Sequence, residues 1–140
     1  MSRLLALLGA AGLLTAVAAH AETINFKASL SSTAEVPPKV SDGKGATTAT
    51  LDTATKTLTY SEDYTGLSGP ATAAHFHGPA EPGANAPVVV PFASAASPIH
   101  GSTTLTDAQM ADLMAGKWYA NVHTAANPAG EIRGQVIRAQ

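Results

Sequence analysis

The 140-residue chain carries 8 Lys and Arg against 10 Asp and Glu, and only 13% of its residues are charged. Because no Lys/Arg cluster stands out, nucleic acids and anionic membranes are poor candidates for partners. The sequence has no cysteine, which excludes disulfides, thiolate metal ligands and therefore a blue-copper site.

The first 21 residues have the pattern of a secretory signal peptide. Arg3 supplies a positive charge, residues 4–19 form an uncharged apolar run, and a small-x-small sequence follows at residues 19–21. We therefore predict a signal peptide at residues 1–21 and a periplasmic or secreted domain at residues 22–140.

One alternative to this cleavage site stays open. Cleavage after Ala19 would leave His20 as an amino-terminal residue able to bind copper through its amine and its ring. The later sequence has no apolar run of membrane-spanning length, so we expect no stable membrane insertion after cleavage.

The domain is predicted to be mostly β-strand, because short segments of alternating apolar and polar residues are separated by Gly/Pro-rich turns. Besides a strand that carries His75 and His77, we predict strands at residues 24–30, 46–51, 57–64, 88–92, 99–105, 117–124 and 131–139. Many short strands with turn signals between them indicate an all-β fold, an antiparallel Greek-key β-sandwich with one short helix.

The single helix is predicted between the last strands. Thr106 is placed as its N-cap, Gln109 completes a capping box, and Gly116 ends it. Met110 and Leu113 lie on one apolar stripe and are expected to pack on a core that contains the residues Phe76, Leu58, Trp118, Val122 and Ile132.

The sequence His75-Phe76-His77 is the strongest indication of a site. Successive side chains of a strand point to opposite faces, so the two histidines share one face and Phe76 anchors the other in the core. Two neutral imidazoles at this spacing can converge on one metal ion.

A second strand follows the same alternation. Trp118, Ala120 and Val122 form an apolar face, which leaves Tyr119, Asn121 and His123 on the polar one. We therefore predict a mononuclear copper site formed by surface histidines on the sandwich, because imidazole suits copper and copper(II) usually binds most tightly in the divalent series. The ligands are His75, His77 and His123, with His100 as a candidate fourth. The affinity is expected to fall as the pH drops through about 6.5, the unperturbed pKa of histidine.

Two long motifs resemble the CHRD domain family, which is named after chordin, an extracellular inhibitor of bone morphogenetic proteins. They are His75-Phe76-His77-Gly78-Pro79-Ala80 with Ala86-Pro87-Val88-Val89, and Gly116-Lys117-Trp118-Tyr119-Ala120-Asn121-Val122-His123-Thr124 with Gly130-Glu131-Ile132-Arg133-Gly134-Gln135. The resemblance extends from about Phe26 to Val136 and implies a β-sandwich in an extracytoplasmic setting, with no agreed activity.

The histidine strands also resemble the copper-ligand strands of Cu/Zn superoxide dismutases. The shared residues are Gly66-Leu67 before His75-Phe76-His77, and Val122-His123 followed by Asn127, Gly130 and Arg133. This resemblance implies that the three histidines are copper ligands, that Arg133 borders an open coordination position, and that His100 could take the place of the bridging histidine. The sequence lacks that family's zinc cluster and cysteine pair, which favours a copper-only site.

Each of these interpretations has a structural alternative. The histidines could cap loops through hydrogen bonds without binding a metal. Glu131 and Arg133 are more simply interpreted as a solvated charge pair than as an anion-steering group. Tyr119 could donate a hydrogen bond to a ligand, although an exposed tyrosine is more common on a sheet.

Three functions from different classes follow. The first is an exported copper-binding protein for storage, delivery or buffering. The second is a redox enzyme of the superoxide-dismutase type, acting on a small anion. The third is a metal-free extracellular module that binds a protein partner.

Overall fold

The computed structural model describes residues 20–140, so the predicted signal peptide at residues 1–21 lies outside the described residues except for its last two. All the predicted strands and the predicted helix are present. The elements are β1 (Thr23–Ser31), β2 (Lys44–Asp52), β3 (Thr57–Thr65), β4 (Ala71–His77), β5 (Val88–Pro91), β6 (Ile99–Thr104), α1 (Asp107–Met114), β7 (Trp118–Thr124) and β8 (Ile132–Arg138). A short 3₁₀ helix at Ser32–Ala34 was not predicted. Within residues 20–140, no helix is long and apolar enough to cross a membrane.

The strands form one antiparallel sheet in the order β5-β4-β7-β8-β1-β2-β3-β6. β1, β2 and β3 form a meander, and β8 pairs with β1 on its other side. The sheet folds over itself, because the rings of Tyr60 on β3 and Phe76 on β4 lie only 5.2 Å apart. The predicted all-β class is therefore confirmed.

Two halves of the sheet enclose the core. The site half consists of β5, β4, β7 and β8, and the threonine half consists of β1, β2, β3 and β6. The five residues predicted to form the core are all fully buried: Leu58, Phe76, Trp118, Val122 and Ile132. The helix contributes Leu113, which is 1% exposed, and both hydrogen bonds of the predicted capping box are present between Thr106 and Gln109.

β7 departs from the alternation of a half-exposed strand, because all seven of its residues are buried. Two loops cover its polar face and that of β8. The first loop consists of residues 32–43, and its Glu35 forms an ion pair with Arg133. The second consists of residues 78–87, and its Ala86 forms hydrogen bonds with Tyr119. The polar side chains of these strands therefore lie in a covered layer outside the core.

Candidate metal centre

Pairing between β4 and β7 brings three histidines together. In this antiparallel ladder His75 lies opposite Asn121 and Ala73 opposite His123. His75, His77 and His123 each offer one ring nitrogen, and these nitrogens all lie within 4.8 Å of one another. The nearest pair is His75 Nδ1 and His123 Nε2, at 3.1 Å.

His100, the candidate fourth ligand, lies elsewhere. It is exposed on β6, opposite Ser61 of β3, at the edge of the threonine half. Among residues 20–140, the histidine cluster that could hold a metal consists of the other three.

Backbone carbonyls fix the tautomers of two of the rings. His77 Nδ1 donates a hydrogen bond to Ala86 O at 2.9 Å, and His123 Nδ1 donates to Pro128 O at 2.9 Å. In a neutral imidazole the other nitrogen then carries a free lone pair. His77 Nε2 is buried and has no hydrogen-bond partner within residues 20–140. A buried nitrogen acceptor without a donor fits a metal ligand.

Burial lowers the pKa of two of the three rings. Together with the neighbouring His123 and His77, it lowers the pKa of His75 to about 4. Burial also lowers the pKa of His77. At these two candidate ligands, protons would therefore compete with a metal at a lower pH than the value of about 6.5 expected for an unperturbed ring.

The prediction of surface histidines is wrong for two of the three candidate ligands. His77 is 8% exposed and His123 is 9% exposed. Strand alternation places both on the polar face, but the loop at residues 78–87 and the β7–β8 connection supply the carbonyls that bind them from outside.

Tyr119 connects His77 to the covering loop. Its ring is stacked on the His77 imidazole, with centroids 4.8 Å apart and planes 3° from parallel. Its hydroxyl donates to Ala86 O and accepts from Ala86 N. Because Tyr119 is only 2% exposed, its interpretation as an exposed tyrosine is wrong.

The interpretation of Glu131 and Arg133 as a solvated pair is also wrong, because both are buried and each has other partners. Glu131 accepts hydrogen bonds from three residues, Ser41, Ser68 and Thr124. Burial acts to raise its pKa, but these donors together lower it to about 2. The segments that carry Ser41 and Ser68 are distant in sequence, so the strand pattern could not reveal them.

Arg133 is held by protein groups at every nitrogen. It donates to Glu35 Oε2, Ala84 O and Asn85 Oδ1, and its guanidinium lies 3.9 Å from the centre of the Tyr119 ring. The structure therefore gives Arg133 the role of fastening the two covering loops. This arrangement does not favour the anion-guiding role that the superoxide-dismutase resemblance implies.

Sequence reasoning missed Glu35, which lies close enough to His123 to interact with it electrostatically. It is 2% exposed, and its Oε1 has no hydrogen-bond partner within residues 20–140. Burial raises its pKa, while Arg133 and His123 act in the opposite direction. An acidic residue in a proline-rich loop gave no signal in the sequence, because only the folded loop places it near His123.

The fold and the cluster define an all-β domain with three converging histidines beneath a loop cover. The chain belongs to the CHRD domain family, which it matches over residues 26–136. No curated protein matches the chain, and no solved structure matches it.

Proposed function

We propose that this CHRD protein is exported to the periplasm or secreted and binds one copper ion through His75, His77 and His123, for storage, delivery or buffering. The observation that carries the proposal is the pair of carbonyl-bound rings, His77 and His123, whose Nε2 atoms are left as acceptors. A carbonyl on the far nitrogen is the usual partner of a metal-binding histidine.

The spacing of the nitrogens supports a single ion. With bonds of about 2.0–2.1 Å, two ligands of one metal stand no more than about 4.2 Å apart. The three nitrogens lie within 4.8 Å of one another. Small rotations of the imidazoles that move these nitrogens by less than about 1 Å would bring every pair within about 4.2 Å. Copper is favoured because the donors are imidazoles and, within residues 20–140, no second group of metal-binding side chains accompanies them.

The charge around the cluster also supports a cation. A buried divalent ion on neutral ligands needs a compensating anion nearby. Glu35, an acidic group of the covering loop, interacts electrostatically with His123, and its Oε1 is unpaired within residues 20–140. A bound metal ion would neutralise the negative charge of that carboxylate more fully than Arg133 does alone.

The test is copper(II) titration of the purified protein against a competing chelator, followed by electron paramagnetic resonance. We expect one copper per chain and a type 2 spectrum with coupling to nitrogen. No binding above that of a copper-free β-domain of similar charge would overturn the proposal and favour the metal-free interaction module. Superoxide turnover by the loaded protein, beyond that of free copper, would instead favour the redox enzyme.

A further inference from the structure

We propose that Asn121 is a fourth ligand of this metal, binding through its side-chain Oδ1 and completing a donor set of three nitrogens and one oxygen. This inference rests on the proposed copper site. Asn121 lies on β7 two residues before His123 and directly opposite His75 in the β4–β7 ladder. The amide is 1% exposed, so it belongs to the same covered layer as the rings.

The distances fit a coordination sphere. Asn121 Oδ1 lies 3.0 Å from His123 Nε2, which in turn lies 3.1 Å from His75 Nδ1. Neighbouring ligands with bonds of about 2.0–2.1 Å stand about 2.9 Å apart at a right angle and about 3.4 Å apart in a tetrahedron. Both distances lie between these limits, so each of these two pairs is spaced as neighbouring ligands of one ion are.

The chemistry of the facing atoms points to a cation between them. His123 donates a hydrogen bond from Nδ1 to Pro128 O, so in the neutral ring Nε2 presents a lone pair. Asn121 Oδ1 faces this nitrogen with lone pairs of its own. In the neutral ring these two acceptors repel each other unless a proton or a metal ion lies between them, and a metal ion bound to both would remove the repulsion.

The opposite end of the amide and the Glu35 carboxylate both lie beside Gly130. A Cβ atom built on Gly130 would lie 2.9 Å from Asn121 Nδ2 and in hard contact with Glu35 Oε1. The amide nitrogen is therefore on the side of the carboxylate and the amide oxygen is on the side of the histidines. Gly130 itself has a φ of 125°, which a side chain rarely adopts, so this position accommodates both groups only as glycine.

The competing role is that of a positioning residue that only holds His123. Affinity does not separate the two roles, because loss of a group that orients a ligand costs roughly 10–100-fold and loss of a weak oxygen ligand costs a similar amount. A signal from the amide carbon itself does separate them, since only a bound oxygen passes copper spin density to its own carbonyl.

The experiment uses the protein labelled with ¹³C at the side-chain carbonyl of asparagine, loaded with copper(II), and pulsed electron–nuclear resonance. We expect a ¹³C coupling larger than the through-space value. It should be absent in Asn121→Ala and unchanged in Asn25→Ala, which alters an exposed asparagine of β1.

Two results would overturn the proposal, and they are distinguishable. Nitrogen coupling from the histidines without the enlarged ¹³C coupling would leave the copper site intact and make Asn121 a positioning residue. Absence of nitrogen coupling would remove the copper site and the fourth ligand together. If Asn121→Ala fails to fold, the labelled parent protein with the Asn25→Ala control still decides between these outcomes.

Discussion

The two halves of the sheet follow the same alternation of apolar and polar residues but use their outer faces differently. In the threonine half, residues such as Thr48, Thr50 and Thr59 stand open to solvent on β2 and β3. In the site half, Tyr119 and His123 occupy the equivalent polar face of β7 and are buried. The difference lies in the loops at residues 32–43 and 78–87. They cover the outer face of the site half but not that of the threonine half, and so make the covered face suitable for binding.

The buried glutamates of the two halves also differ in their hydrogen-bond donors. Glu131 in the site half accepts hydrogen bonds from Ser41, Ser68 and Thr124. Within residues 20–140, Glu62 in the threonine half is fully buried with Thr47 as its single donor, and its Oε1 is unpaired. Burial raises the pKa of Glu62 to about 7, whereas the donors around Glu131 hold its pKa at about 2. Ser41 on a covering loop and Ser68 on the β3–β4 connection supply donors that the sheet alone does not.

The largest expected effect comes from truncating either face of β7. Trp118→Ala should lower the free energy of unfolding by about 3–5 kcal/mol, because a large buried side chain is lost, and Tyr119→Ala on the opposite face should cost about 3 kcal/mol. Thr59→Ala, on the exposed face of the threonine half, should stay within about 0.5 kcal/mol. Urea unfolding of the three variants measures this. A Tyr119→Ala cost as small as that of Thr59→Ala would mean that the cover does not bury the outer face.

The second prediction concerns the pH dependence of stability. The folded protein keeps the proton of Glu62 up to a pKa of about 7, whereas the unfolded chain releases it near pH 4.5. The stabilisation of the folded protein by protonated Glu62 is therefore complete below pH 4.5. It is lost as the pH rises through 7, by about 3 kcal/mol.

Glu62→Gln should remove this loss. Comparing the variant with the parent protein at each pH cancels the titration of the histidines, whose lowered pKa values act in the opposite direction. The variant should gain about 3 kcal/mol on the parent between pH 4.5 and 8 in urea unfolding. A difference that is constant with pH would contradict a neutral buried Glu62.

The third prediction compares histidines of the two halves. His77→Ala and His123→Ala should each weaken copper(II) binding at least about 100-fold, or about 2.8 kcal/mol, because each removes a ligand nitrogen. His100→Ala should leave the affinity unchanged, since this residue lies outside the cluster. Chelator competition measures all three. Equal losses in His100→Ala and His123→Ala would place the copper elsewhere.

The smallest effect is expected at α1, which connects the threonine half to the site half. Thr106 accepts a hydrogen bond from the Gln109 amide at 3.1 Å, so Thr106→Ala should cost about 1 kcal/mol. Thr104→Ala, an exposed change just before it on β6, serves as the control. Thermal unfolding of the pair measures this, and a cost above about 2 kcal/mol would show that the helix start also holds the halves together.

The sequence alone determined the elements and the face on which each residue lies. Alternation placed Phe76, Trp118 and Val122 in the core, and it placed His75, His77 and His123 on the polar faces of their strands. The capping box located the helix start at Thr106. These are local properties, because strand pleating and helix capping depend on residues only a few positions apart.

Only the tertiary structure decided what covers that face. Ser41 and Ser68, which donate to Glu131, lie on loops far away in sequence, and so does Glu35, the ion-pair partner of Arg133. The approach of Asn121 Oδ1 to His123 depends on side-chain rotation within the covered layer. A strand pattern fixes the side to which a residue points, but burial, pKa and ligand convergence depend on long-range packing, which alternation does not encode.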